Sequence, residues 1–254
     1  ELYMKITYWS DFACPYCYIG EERLLKAIKR LGMENDIELE MKSYELDPNA
    51  PKECTGTMAE RYAKNMKLGP KGAEYHVERV SRFGRMEGLD MDYAKSKYTN
   101  TLDAHRLLKF AQSKGDKEII SKLTKSLFDA YFAKGLELSD RNTLVKICVE
   151  AGLSENDIVN ALDSDTFTDE VRADESEVEA DPDFYGIPLF VIGDKKLEGV
   201  AEENAFITAI KEALAGDAVA ENNSEEKVHS DDSDKSGCSD ESNENGCVNG
   251  VCRI

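Results

Sequence analysis

The spacing of apolar residues predicts two strands and a helix at the beginning of the chain. Residues 4–10 form a largely apolar run, as in a buried strand, and residues 37–44 alternate apolar and polar side chains, as in a strand with one buried face. Between them, apolar residues recur at helical spacing, which predicts an amphipathic helix over residues 15–31.

A second group of strands is predicted near residue 190. Residues 189–192 form an apolar run of β-type residues, and Gly193-Asp194 turns the chain back into residues 196–200, which together predict a hairpin. Apolar positions from 205 to 214 then fit an amphipathic helix. From residue 217 onward the composition is polar and acidic, as in a disordered tail.

The long middle of the chain carries helical patterns and no strand signal. The order βαβ, helices, ββα predicts an α/β protein with a thioredoxin fold, a large inserted all-helical domain and a disordered C-terminal tail. The thioredoxin-like domain is predicted to comprise residues 1–50 and 183–216, the insert residues 51–182 and the tail residues 217–254. The predicted middle helices are residues 58–68, 72–86, 101–113, 117–134, 141–151, 155–162 and 169–179.

The acidic composition argues against nucleic acid and membranes as partners. The chain of 254 residues has a net charge of −19, so its surface repels polyanions. It shows no secretory signal and no apolar stretch long enough to cross a bilayer, which predicts a cytoplasmic protein. Seven cysteines are too few for a disulfide scaffold in a chain of this length, so paired cysteines point to catalysis. The sequence does not indicate an oligomeric state.

The motif Cys14-Pro15-Tyr16-Cys17 stands between the first predicted strand and the first predicted helix. This is the local arrangement of thiol–disulfide redox sites. Unpaired N–H groups at a helix N-terminus favour the thiolate, which is the reactive form of cysteine. Cys17 falls on the apolar stripe of the helix, whereas Cys14 lies one turn earlier, at a tip expected to be exposed. Cys14 is therefore predicted to be the nucleophile and Cys17 the shielded, resolving thiol.

Metal binding is the non-enzymatic alternative for this motif. Two cysteines at this spacing are half of a zinc site, and Cys14 and Cys17 could also bind a metal together with cysteines of the tail. The middle of the chain offers no second pair of ligands at a suitable spacing. Neither a metal nor an organic cofactor is therefore expected.

A proline precedes the late strand, in the tripeptide Gly186-Ile187-Pro188. Proline cannot donate to a sheet ladder, so it fits the first position of a strand, where a trans proline is also ordinary. Together with the cysteine motif, the hairpin and the closing helix, the tripeptide predicts a cis bond before Pro188. The backbone of Ile187 would then be able to pair with an extended substrate segment.

Three separated segments resemble the DsbA-like oxidoreductases, most closely the FrnE-like subgroup, which lacks a secretory signal. They are residues 10–20, residues 100–107 and residues 186–191. The resemblance covers about residues 4–215. It implies a thioredoxin fold with an inserted helical domain and dithiol–disulfide oxidoreductase activity. It also implies that Cys14 is the nucleophile, Cys17 the resolving cysteine and Pro188 the cis proline.

Glutathione-dependent isomerases of small aromatic acids belong to the same superfamily and provide the alternative function. These enzymes have serine where this chain has Cys14, so the intact cysteine pair favours redox exchange. The isomerase alternative predicts a glutathione pocket near Pro188 and an activity that survives the loss of Cys17. For redox exchange the expected substrates are protein thiols and disulfides, with glutathione as an optional co-substrate.

Several side chains near the motif are candidates for shaping the site. His105 either packs between the two domains or lies near the cleft, where it could stabilise the nucleophilic thiolate. Asp11 and Glu21 either relay a proton to the resolving thiol or are solvated or capping groups. Phe12 and Tyr16 are candidates for lining an apolar substrate groove.

The cysteines outside the motif have different surroundings. Cys148 lies on a helical apolar face, which predicts a buried, inert thiol. Cys247 and Cys252 flank an Asn-Gly turn signal in the tail and could close a small disulfide ring. One hypothesis is that this pair exchanges electrons with Cys14 and Cys17 at high effective concentration. The alternative is a tail that scavenges metal or has no function.

Overall fold

The computed structural model describes the backbone of residues 4–226 and the side chains of residues 4–216. Over this range, the order of elements is strand, helix, strand, seven α-helices, two strands and a last helix, and a short 3₁₀ helix (Tyr93–Lys95) follows the second of the seven. The strands are β1 (Met4–Ser10), β2 (Ile37–Ser43), β3 (Leu189–Ile192) and β4 (Lys195–Glu198). The helices are α1 (Pro15–Leu31), α2 (Met58–Asn65), α3 (Pro70–Met86), α4 (Leu102–Lys114), α5 (Lys117–Phe132), α6 (Arg141–Ala151), α7 (Glu155–Leu162), α8 (Thr168–Glu179) and α9 (Glu203–Glu226).

The sheet brings segments from both ends of the described chain together. Its order is β2-β1-β3-β4, with β1 parallel to β2 and antiparallel to β3, and β3 antiparallel to β4. The register places Tyr8 of β1 between Met41 of β2 and Phe190 of β3. Because β1 is an inner, largely buried strand, its end is held firmly in the sheet. The loop that follows β1 and leads to the cysteine motif therefore begins at a well-defined position.

The structure confirms the predicted fold class. The helices α1, α6 and α7 and the strand β3 have the predicted bounds, and α2–α8 lie between β2 and β3, where the sequence predicts the helical insert. The second strand of the hairpin ends two residues earlier than predicted, at Glu198. The reason is that Gly199 has a φ of 67°, a left-handed conformation that does not continue a strand.

The last helix is longer than the apolar pattern predicts. It begins at Glu203 and its backbone is helical to Glu226, so the predicted boundary of the tail at residue 217 falls inside α9. Alanine and glutamate, which are good helix formers, recur after Gly216, so the helix continues beyond the predicted amphipathic stretch that ends at residue 214. No helix between residues 4 and 226 has the length and apolar character needed to span a bilayer.

A cluster of buried aromatic rings joins α1 to the helical insert. Tyr18 of α1 stacks on Phe128 of α5, with ring centroids 4.8 Å apart and ring planes at 4°, and its hydroxyl donates to Asp129. Phe12, in the loop before α1, contacts the same Phe128 ring at 5.1 Å. Burial of these large rings stabilises the contact between the insert and the sheet domain. Residues on both sides of the cysteine motif, Phe12 before it and Tyr18 after it, therefore pack against α5.

Arg23 of α1 is a buried cation that ties three parts of the fold together. Its guanidinium contacts Glu87, at the end of α3, through Nε at 2.8 Å and Nη2 at 2.7 Å. Nη1 donates to the carbonyl of Ala201 at 3.2 Å and pairs with Glu202, just before α9, at 3.1 Å. Only 8 % of the Arg23 side chain and 18 % of the Glu87 side chain are exposed, so this pair is largely shielded from solvent, whereas 79 % of the Glu202 side chain is exposed.

Replacement of Arg23 by methionine is expected to lower the free energy of unfolding by about 2–3 kcal/mol. The substitution keeps the apolar stem and removes the charge, which leaves Glu87 with Lys26 as its remaining ion-pair partner. Urea denaturation at neutral pH measures the effect.

The matched control is Arg30→Met on the same helix. Arg30 pairs with Glu203 at 3.2 Å, but 65 % of the Arg30 side chain is exposed. An exposed pair of this kind contributes about 0–1 kcal/mol. Equal losses in the free energy of unfolding of the two variants would contradict the conclusion that the buried contacts of Arg23 stabilise the fold.

Candidate active site

Cys14 is the N-cap residue of α1, and its sulfur faces the first turn of the helix. Pro15 occupies the first turn, where its missing N–H is not needed. The backbone N–H of Cys17 donates to Sγ of Cys14 over 3.3 Å. An N–H group at a helix N-terminus stabilises negative charge on sulfur, so this contact suits Cys14 to the role of nucleophile.

The structure corrects the prediction that Cys14 is exposed and confirms that Cys17 is shielded. The exposed fractions are 0 % for Cys14 and 1 % for Cys17, and neither residue forms a disulfide. The reason is that the side chain of Cys14 turns back over the first turn of α1 instead of projecting from it. Ala13 and Tyr16, on either side, line the adjoining cavity. Contact between Cys14 Sγ and another molecule would therefore require a movement of the residues that cover it.

The peptide bond between Ile187 and Pro188 is cis, as predicted. Pro188 packs against α1 at Gly20, where an added Cβ would lie 3.4 Å from Pro188 and 3.1 Å from Phe190. The missing side chain of Gly20 thus allows α1 to approach the start of β3 closely. The side chain of Ile187 is fully buried. Pairing of the Ile187 backbone with a substrate stays a prediction.

Asp11 is a buried carboxylate, so the solvated role among its predicted alternatives is wrong, and a proton relay from Asp11 to Cys17 stays a prediction. Its Oδ2 accepts from the backbone N–H of Leu46 at 2.8 Å, and Oδ1 accepts from that of Ala13 at 3.2 Å. Nε2 of His105 lies 3.3 Å from the same Oδ1. These bonds fix the loop before Cys14 against the segment after β2 and against α4.

His105 of α4 is packed inside the protein, which agrees with the first of its two predicted roles. The side chain is fully buried, and its ring contacts Phe12 at 5.0 Å between centroids. Phe12 is itself fully buried against His105 and Phe128, so the prediction that Phe12 lines a groove is wrong. Tyr16 is only partly buried and does line a cavity. A direct effect of His105 on Cys14 stays a prediction.

A cavity of about 900 Å³ lies between the start of α1 and the helical insert. Ala13, Pro15 and Tyr16, which surround Cys14 in the chain, form one side of it. The other side is polar and rich in tyrosine. No motif in the sequence marks its residues, because they are far apart in the chain and meet only in the folded protein. They include Arg61, Tyr62, His76, Tyr98, Thr99 and Tyr131.

Glu21 lies on α1 one turn after Cys17, and only 8 % of it is exposed. Burial raises the pKa of its carboxyl from 4.5 to about 7, although a hydrogen bond from Tyr8 lowers it. Burial also raises the pKa of Tyr8, and the charges of Glu21 and Cys17 add to this rise. Tyr8 is thus close to both groups. A solvated Glu21 is excluded, and a proton relay from Glu21 to Cys17 stays a prediction.

Of the cysteines outside the motif that the structure describes, Cys148 lies apart from this site. Cys148 on α6 is fully buried, and burial raises the pKa of its thiol to about 12, which confirms an inert thiol. Cys247 and Cys252, the proposed second redox pair, lie outside the described residues. Within the described part of the chain, no three metal-binding side chains form a cluster. That the protein needs no metal stays a prediction.

Residues 5–211 match a family model described as a DSBA-like thioredoxin domain. This chain belongs to the DsbA-like thioredoxin family. YwbO, an uncharacterized protein of Bacillus subtilis (strain 168), is 24 % identical to it over 214 residues, which are 82 % of this chain and 96 % of that protein. The finer assignment to the FrnE-like subgroup stays a prediction.

Two solved structures illustrate the range of proteins with this fold. A protein of Streptomyces coelicolor, described as a probable DsbA oxidoreductase, has a TM-score of 0.77 and 27 % identity, and the match covers 84 % of this chain and 91 % of that one. A 2-hydroxychromene-2-carboxylate isomerase has a TM-score of 0.54 and 16 % identity, with coverage of 87 % and 98 %. The second likeness shows the shared fold alone.

Proposed function

We propose that this chain is a thiol–disulfide oxidoreductase or disulfide isomerase that acts on protein thiols and disulfides. The observation that carries the proposal is the contact of Cys14 Sγ with the N–H of Cys17 at the start of α1. A thiolate placed there can attack a disulfide, and a second thiol one turn away can resolve the product. Membership of the DsbA-like family and the likeness to the Streptomyces coelicolor protein support the proposal.

The proposed reaction runs in two steps. The Cys14 thiolate attacks one sulfur of a substrate disulfide, the S–S bond breaks, and the leaving sulfur takes a proton from water. Cys17 then loses its proton and attacks Cys14 Sγ, which releases the second substrate thiol and leaves a Cys14–Cys17 disulfide. Two electrons pass from the protein to the substrate, and the reverse sequence oxidises a dithiol. No metal or organic cofactor takes part, and the proposed compartment is the cytoplasm.

Two paired assays test this function on the full-length protein. With a reductant that regenerates its thiols, the protein is expected to accelerate the reduction of insulin disulfides or the refolding of a protein with scrambled disulfides. A Cys14→Ser variant controls for contaminating activity and should accelerate neither. Failure of the unmodified protein in both assays would overturn the proposal.

A glutathione-dependent isomerase or transferase is the second candidate. It is favoured by the cavity of about 900 Å³ beside the cysteine motif, which is large enough for a small molecule. The fold shared with the isomerase is consistent with this candidate. It predicts turnover of a small aromatic acid that requires glutathione and survives a Cys17→Ser substitution. Redox exchange through both cysteines would not survive that substitution.

A further inference from the structure

The segment that joins α2 to α3 is basic, although the protein as a whole is acidic. Residues 61–73 include four lysines and arginines and no aspartate or glutamate, whereas the whole chain has 51 acidic and 32 basic residues. Three of the four, Lys64, Lys67 and Lys71, are exposed, and none of them forms an ion pair with another described residue. Lysines without ion-pair partners create a local positive potential, which attracts anionic groups to this part of the surface.

Residues 64–72 are called the basic tip below, and every one of them is exposed. Two large apolar side chains lie among the lysines. Met66 is 53 % exposed and Leu68 is 36 % exposed. A methionine side chain is flexible and adapts to different partners, and exposed apolar groups beside charges are typical of surfaces that bind other proteins. The composition of the basic tip therefore suits a polypeptide better than a small ion.

The backbone of Lys67 has a conformation that is unusual for a lysine. Its φ is 51°, in the left-handed region, at the end of α2, where helices commonly end with a glycine. The N–H of Leu68 donates to the carbonyl of Ala63 over 3.1 Å and closes the helix in this conformation. Because the side chain of Lys67 is exposed, core packing does not account for a lysine at this position. Strained positions of this kind are concentrated at functional surfaces.

The acidic groups near the basic tip do not cancel its charge. The hairpin of α2 and α3 as a whole, residues 58–86, contains seven basic and three acidic residues, so it stays positive. Glu60 accepts hydrogen bonds from the backbone N–H and the hydroxyl of Thr57. Asp47 accepts from the hydroxyl of Tyr98 and lies 3.8 Å from Arg61.

The basic tip lies beside the cysteine motif. Asn65 and Met66 line the cavity of about 900 Å³, and Pro15 and Tyr16 line it as well. A polypeptide that contacts the basic tip and extends along the cavity would therefore lie next to the segment that carries Cys14.

We propose that the basic tip binds an acidic, extended segment of the protein whose disulfide reacts at Cys14. The inference rests on the proposed function and names a class of substrate for it. The three lysines pair with carboxylates of the segment, and the exposed apolar side chains of the tip contact its apolar residues. Because most of the remaining surface is acidic and repels the same segment, the attraction at the tip also orients the substrate toward the cavity.

Two matched peptides test the proposal. Each contains a single cysteine, present as a 2-pyridyl disulfide, and a flexible stretch that carries glutamates in one peptide and glutamines at the same positions in the other. At low ionic strength the reduced full-length protein is expected to react about tenfold faster with the glutamate peptide. This preference should decrease as salt is added. The net charge of −19 would by itself give the opposite preference.

Release of pyridine-2-thione measures the rates. The rate of a Cys14→Ser variant is subtracted, because it reports the reaction of the other cysteines. Each rate is then divided by the rate of the same peptide with mercaptoethanol, which removes differences in intrinsic reactivity between the two disulfides.

A triple variant and a matched control locate the effect. Replacement of Lys64, Lys67 and Lys71 by glutamine is expected to abolish the preference and to leave the rate with the glutamine peptide unchanged. Thermal unfolding of this variant should resemble that of the parent, because these side chains are exposed and form no ion pairs with described residues. The control makes the same change of net charge at three exposed lysines on α1, α5 and α6, and it should keep the preference. These lysines are Lys29, Lys122 and Lys146.

Equal rates with the two peptides, or a preference that the triple variant retains, would overturn the proposal. A preference lost equally in the control variant would overturn it as well, because net charge would then set the rates. A preference that appears only after the acidic residues between 231 and 244 are changed to amides would mean that the chain's own tail occupies the tip, which also overturns the proposal.

Reduction of insulin disulfides by the unmodified protein would leave the proposed function intact in each of these cases. Absence of reaction with insulin and with both peptides would overturn the proposed function itself.

Discussion

A Cys17→Ser variant is expected to stop halfway through the reaction, with the substrate held on Cys14 as a mixed disulfide. The second step needs a thiol close to the Cys14 sulfur, and Cys17 lies in the same helical turn. Serine nearly keeps the size of the side chain but cannot displace a thiolate. Turnover of a disulfide substrate should fall by about a hundredfold or more. Intact-protein mass spectrometry should show one substrate thiol bound per chain.

This measurement can be interpreted only if the other cysteines do not react with the substrate. The suitable background replaces Cys54, Cys238, Cys247 and Cys252 by serine and keeps Cys148, which is fully buried. In this background the intact pair should release two substrate thiols per disulfide. Cys17→Ser should release one, and Cys14→Ser none.

Two outcomes would contradict the assigned roles. Full release of both thiols by Cys17→Ser would mean that another group resolves the mixed disulfide. Undiminished release by Cys14→Ser would mean that Cys14 is not the nucleophile. A glutathione-dependent activity that persists in Cys17→Ser would instead support the isomerase candidate.

Most of the fold follows from local patterns that the chain itself specifies. The apolar spacing of α1, the β-type run of β3 and the Gly193 turn each act within a few residues, so their positions can be predicted from sequence. Prediction of the cis bond before Pro188 needed information from other parts of the chain, because the tripeptide alone also fits a trans proline at the start of a strand. The surrounding elements made the cis prediction possible.

The candidate site could be predicted only where neighbouring residues form it. Cys14 and Cys17 share one helical turn, so their pairing is visible in the sequence. Asp11, in contrast, is buried by contacts with Leu46 and His105, which are 35 and 94 residues away in the chain. Its burial, and that of the cavity wall around Tyr131, depends on how the insert packs on the sheet, which local spacing does not encode.

The burial of Glu21 has a consequence for stability that depends on pH. Its carboxyl titrates near pH 7 in the folded protein, chiefly because burial disfavours the charged form, and near 4.5 when unfolded. Glu22 raises this pKa further, whereas Tyr8 and Lys125 lower it. Below pH 4.5 the carboxyl is neutral in both states and folding carries no penalty. Above pH 7 it is charged in both states, and burial of the charge destabilises the fold by about 3 kcal/mol.

Glu21→Gln is therefore expected to stabilise the protein at high pH and to leave it nearly unchanged at low pH. Glutamine resembles the protonated carboxyl and can still accept the hydrogen bond from Tyr8. The difference in free energy of unfolding between variant and parent should be small at pH 4. It should rise as pH increases through the window from 4.5 to 7, and reach about 3 kcal/mol by pH 8. Urea denaturation at several pH values measures this difference.

The control is Glu34→Gln, an exposed position where the same change of charge should produce no comparable slope. A variant that is destabilised equally at every pH would mean that Glu21 contributes through packing or hydrogen bonding instead of through its ionisation. A difference that grows as pH falls would contradict a raised pKa altogether. Because the comparison subtracts the titrating groups that do not interact with Glu21, the slope reports on Glu21 and the groups coupled to it, Tyr8, Glu22 and Lys125, without any assay of redox activity.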